Sequence, residues 1–60
     1  MKLVTFTKED GLPAVVNVDH VVVLFRTEEG CRIVLSNGIE VYVRAQLSEV
    51  QRQIDEATAA

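Results

Sequence analysis

The sequence predicts a small α+β domain: an antiparallel meander of four or five short strands, with one C-terminal helix packed on one face. Three observations carry that reading. Between Val21 and Val43 the segments VVVLFR, CRIVLSN and IEVYVR are rich in β-branched residues, and TEEG and SNG stand between them as turns. Upstream, KLVTFT and AVVNV are two further strand-like segments, parted by the charged turn KEDG. Beyond Ala45 the period changes, because Leu47, Val50, Ile54 and Ala57 recur at three- and four-residue spacing, the stripe of an amphipathic helix.

Taken in order, the strands are expected at about 2–7, 14–18, 21–26, 31–35 and 39–44 and the helix at about 46–57, all within a single small domain over residues 1–60. Pro13 removes a backbone donor and so suits the first position of a strand or an edge. Asn17 and Asp19 have short side chains that bond nearby amides and let the chain turn before Val21. For the helix, Ser48 is a candidate N-cap with Gln51 three residues on, which would leave Leu47 outside as a hydrophobic staple. The final ATAA is expected to fray.

The Asn37-Gly38 turn sets the register. A two-residue loop would place Leu35 opposite Glu40 and Ile33 opposite Tyr42, scrambling the polarity. A three-residue loop, Ser36 to Gly38, with Gly38 left-handed, instead pairs Leu35 with Ile39, Ile33 with Val41 and Cys31 with Val43. Carried back through TEEG with the same parity, Val21, Val23 and Phe25 join Cys31, Ile33, Leu35, Ile39, Val41 and Val43 on an apolar face for the helix to cover. The opposite face then carries Val22, Leu24, Arg26, Arg32, Val34, Glu40, Tyr42 and Arg44.

That second face is the candidate site. Burying each of Val22, Leu24, Val34 and Tyr42 is worth about 1.5–3 kcal/mol, and monomers seldom leave such a patch bare. The expected cover is the first two strands or a second copy of the chain. A chain of 60 residues hides only about 60% of the surface that its unfolded form exposes, and small cores of this kind lean on disulfides, metals or self-association. Cys31 is the only cysteine and His20 the only histidine, so an intrachain disulfide and a zinc set are both ruled out. Self-association remains as the staple, and another protein, neutral or acidic, is a further candidate for this face.

The rival use of the face is nucleic-acid or regulatory binding through Arg26, Arg32, Tyr42 and Arg44, an aromatic among arginines. A net charge of −3 works against it, because such binding rests on cations displacing counterions. No catalytic, metal or cofactor motif is present, and no cofactor is expected. Asp19, His20 and Cys31 do not make a nucleophile and base, since Cys31 is assigned to the core face and neighbouring strand residues point apart. No apolar run approaches the roughly 20 residues that span a bilayer. The expectation is a cytoplasmic protein without enzymatic activity.

The order KLVTF, VVNVDHVV, CRIVLSNGIEVYVR and LSEVQRQI resembles small flagellar swarming-motility proteins of the FlbD type. These have an N-terminal strand, an N-x-D-x-I-like segment, a strand, an NG or TG turn, a V-V-R/K strand and a closing helix with a Glu-Val step. The resemblance implies a meander closed by a helix and a motility-related assembly role. In its later half, YVRAQLSEV is also similar to the strand-to-helix passage of LytTR-type DNA-binding domains. No functional residue is carried over from either family.

Overall fold

The computed structural model describes residues 2–59. It is α+β, with strands β1 (Leu3–Thr7), β2 (Pro13–Asn17), β3 (Val21–Arg26), β4 (Cys31–Leu35) and β5 (Glu40–Val43), then helix α1 (Leu47–Thr58). β1 and β2 form an antiparallel hairpin, and β3, β4 and β5 form an antiparallel meander in that order. The two sheets touch where β1 and β5 end. There Glu9 N–H donates to the Tyr42 carbonyl at 3.1 Å and Arg44 N–H to the Thr7 carbonyl at 3.1 Å, around a bridge of Lys8 with Val43.

The core forms where hairpin, meander and helix converge. Phe6 from β1, Val16 from β2, Cys31 and Ile33 from β4, Val43 from β5 and Val50 from α1 make one buried cluster, with Val4, Val21, Leu24, Leu35, Val41, Leu47 and Ile54 packed around it. Ile33, Val43 and Val50 are fully enclosed, and each such burial stabilises by about 1.5–3 kcal/mol. Because Phe6 and Val16 share the cluster with Val50, the hairpin and the helix lie on the same side of the meander. The first two strands therefore do not cover its other face.

The SNG loop holds three residues. Leu35 N–H donates to the Ile39 carbonyl at 2.9 Å, and β4 meets β5 as Ile33 with Val41 and Cys31 with Val43. Gly38 has φ +88°, a conformation in which a Cβ would be strained, and Asn37 Oδ1 accepts from Ile39 N–H at 3.1 Å.

The preceding turn holds the expected residues but reverses the expected parity. Arg26 pairs with Cys31, Phe25 with Arg32 and Leu24 with Ile33, so four residues, Thr27 to Gly30, make the loop. Thr27 closes it from both sides: its N–H donates to the Gly30 carbonyl at 3.0 Å and its hydroxyl accepts from Gly30 N–H at 3.0 Å. This shifts the parity by one, turning Leu24 inward and Val23 and Phe25 outward. A register shift between Val21 and Val23 then restores the expected parity, and Val21 pairs with Leu35. Such a bulge sets two residues of one strand against one of its neighbour.

At the other turns polar side chains act as expected. Asn17 Oδ1 accepts from Asp19 N–H at 3.1 Å and caps a 3-10 turn, Val18–His20. α1 starts two residues earlier than a Ser48 cap would give: Gln46 is the N-cap, without a side-chain bond, and Val50 N–H donates to its carbonyl at 2.9 Å. Leu47 is thereby inside the helix and shares its apolar stripe with Val50 and Ile54. Thr58, expected to fray, ends the helix with its hydroxyl donating to the Ile54 carbonyl at 3.0 Å, while Ala60 lies outside the described residues.

Candidate interaction face

The face of the meander turned away from the helix is built as two cross-strand rows. One runs Phe25, Arg32, Tyr42 and the other Val23, Val34, Glu40, over β3, β4 and β5. Residues directly opposite in a sheet share a face and pack in pairs. The guanidinium carbon of Arg32 lies 4.3 Å from the centroid of the Phe25 ring, within the range of a cation–π contact. Its Nη1 is 3.4 Å from Glu40 Oε1, and the Tyr42 hydroxyl donates to that same oxygen at 3.3 Å. Arg32 Nε is buried without a hydrogen-bond partner, an arrangement that costs stability.

The apolar part of this face remains in water. Val23 is 37% exposed, Phe25 43% and Tyr42 42%, with Val34 half-buried between them. Among the residues assigned to the site from sequence, Arg32, Val34 and Tyr42 are here, together. Leu24 is not, because it packs on the core. Arg26, opposite Cys31, emerges on the helix side of the sheet. Val22 is 65% exposed at the bulge. Arg44 keeps the parity of Tyr42 but bends to the first turn, where its Nε and Nη2 donate to the Glu9 carbonyl at 3.2 and 2.8 Å. The arginines thus do not form one cluster, and Val23 and Phe25 are the residues that the alternation argument missed.

Cys31 is fully buried, and desolvation pushes its thiol above the usual range. His20 Nδ1 sits 3.0 Å from Ser36 Oγ, and Ser36 N–H donates to the His20 carbonyl at 2.8 Å, which ties the 3-10 turn to the β4–β5 turn. Among the described residues no group of three His, Cys, Asp or Glu side chains gathers to hold a metal ion, and no helix is long and apolar enough to cross a membrane. The chain matches no known family, no curated protein and no solved structure.

Proposed function

We propose that this chain is a non-enzymatic interaction and assembly protein that associates with copies of itself through the outer face of the meander or through its edge strand. The carrying observation is the exposed row of Phe25, Arg32 and Tyr42 beside Val23 and Val34. Its charge is balanced internally, since Arg32 is paired with Glu40. A balanced, aromatic surface suits another surface like itself better than it suits a polyanion. A core this thin also gains most from a second copy, because association adds apolar burial that the fold cannot supply alone. The setting we assign is the cytoplasm, where the lone Cys31 stays reduced, and the likeness to FlbD-type proteins makes motility-related assembly the role within it.

The rival reading, nucleic-acid binding, needs Arg26, Arg32 and Arg44 to act together, whereas Arg26 is on the other side of the sheet and Arg44 is engaged by Glu9. Sedimentation equilibrium tests the two. Self-association predicts a mass that rises with concentration and collapses to the monomer in Phe25→Glu. Retention of a labelled nucleic-acid duplex at low salt, lost steeply as salt rises, with a monomeric protein throughout, would favour the rival.

A further inference from the structure

β3 is an edge strand, paired among the described residues with β4 alone. Thr27 N–H bonds Gly30 across the turn, so by the alternation of an antiparallel ladder Phe25 also faces β4, and the N–H and C=O of Leu24 and Arg26 face outward. Edges of this kind are ready templates for another strand, and charges, prolines and bulges are the usual protections. Here the bulge at Val22 protects only the start of the strand, and Val23 is already back in register. Beyond it the edge is regular.

Val22, 65% exposed at the bulge, lines an open groove of about 380 Å³ between β3 and α1 with Val21, Leu24, Leu47 and Ile54, and Asp55 is among its walls. Arg26 emerges on that same side of the sheet. Neither Arg26 nor Asp55 is in an ion pair among the described residues. The groove therefore calls for an extended, uncharged, β-branched segment that ends in a cation. VVVLFR, which is β3 itself, fits that description.

We infer that the second copy docks by adding its β3 antiparallel to this edge, with Leu24 opposite the second copy's Leu24; this rests on the self-association reading and specifies its geometry. Leu24 then exchanges both backbone bonds with its counterpart. On the outer face Phe25 meets the second copy's Val23 and Val23 its Phe25, pairs of the aromatic and β-branched kind that stabilise sheets. On the helix side each Arg26 stands opposite the second copy's Val22, its aliphatic stem over the groove and its guanidinium at Asp55. Two meanders become one six-stranded sheet.

The test is a charge exchange read by sedimentation equilibrium, with circular dichroism to check folding. Arg26→Glu and Asp55→Arg, both at exposed positions, should each weaken association by about tenfold or more, since each sets like charges together. The double variant Arg26→Glu/Asp55→Arg should recover to within about threefold of the parent, the signature of a direct pair. Val34→Glu, in the middle of the face and away from the seam, should associate as the parent does. A double variant that fails to recover, or singles that behave like the parent, overturns the edge geometry. If Val34→Glu alone then abolishes association, the copies stack face to face and the broader reading stands. A parent that is monomeric at every concentration overturns both.

Discussion

Arg32 stacks on Phe25 from the neighbouring strand, 4.3 Å from guanidinium carbon to ring centroid, while its Nη1 is held 3.4 Å from Glu40 on the third strand. One cation thus links all three strands of the outer face. Its side chain is one-third exposed, so solvent screens part of the attraction. A double-mutant cycle over Phe25→Leu and Arg32→Met, followed by urea unfolding at low protein concentration, should give a coupling of about 0.5–1 kcal/mol. A coupling indistinguishable from zero would mean that the stack does not hold in solution.

The exchange of parity at the Thr27–Gly30 turn makes neighbouring residues respond in opposite ways. Leu24→Glu brings a carboxylate to the core periphery and should cost roughly 2 kcal/mol or more, a large share of a small domain's stability. Phe25→Glu, one position on, adds a charge to a surface already open to water. It should leave the far-ultraviolet dichroism of the dilute protein unchanged while removing association. If Phe25→Glu unfolds and Leu24→Glu does not, the inward residue of β3 is not Leu24.

That turn is also where reading the sequence stops being enough. The Asn37-Gly38 loop was legible because only one loop length keeps Ile33, Leu35, Val41 and Val43 from facing water, and a glycine stands where φ must be positive. The helix was legible from its period. β3 offers no such contrast: five consecutive apolar residues, Val21 to Phe25, read equally well in either parity. The deciding features are the Thr27 hydroxyl closing a four-residue turn and a bulge among three valines, neither of which leaves a hydrophobic pattern. Plain alternation therefore puts Phe25 and Val23 in the core and Leu24 on the surface. For Arg32, Val34 and Tyr42, on strands whose register the SNG loop fixes, alternation and the observed pairing agree on the face.

Gly30 is held by close approach. A Cβ there would overlap the Val43 carbonyl oxygen and come within 2.7 Å of the Arg44 carbonyl carbon, both backbone atoms that cannot swing aside. Gly30→Ala should cost about 3 kcal/mol or more. Gly38→Ala meets nothing within 4 Å but keeps φ at +88°, so only conformational strain remains, about 1 kcal/mol. Thermal unfolding of the two variants checks the order. A Gly38→Ala that costs more than Gly30→Ala would contradict the packing of Gly30 against β5.

The buried thiol gives the fold a dependence on pH. Desolvation raises the Cys31 pKa in the folded chain above the ordinary value of 9.0, so between the two values the folded state keeps a proton that the unfolded state has lost. Stability from this group is complete below the unfolded value and declines as pH rises through it. Urea midpoints from pH 7 to 10 should fall for the parent, and Cys31→Ala, less stable at pH 7 for lack of volume, should lose that part of the fall. An identical slope in both proteins would show that Cys31 is not the group responsible.

The most direct test of the central claim, that the outer side of β3 is completed by a second copy, is the mass of the native chain by sedimentation equilibrium over a hundredfold range of concentration. The account predicts a passage from one chain to two for the parent, with the melting temperature rising alongside, and one chain throughout for Phe25→Glu. A parent that remains a single chain at the highest concentration, with Val23 and Phe25 in water, would contradict it.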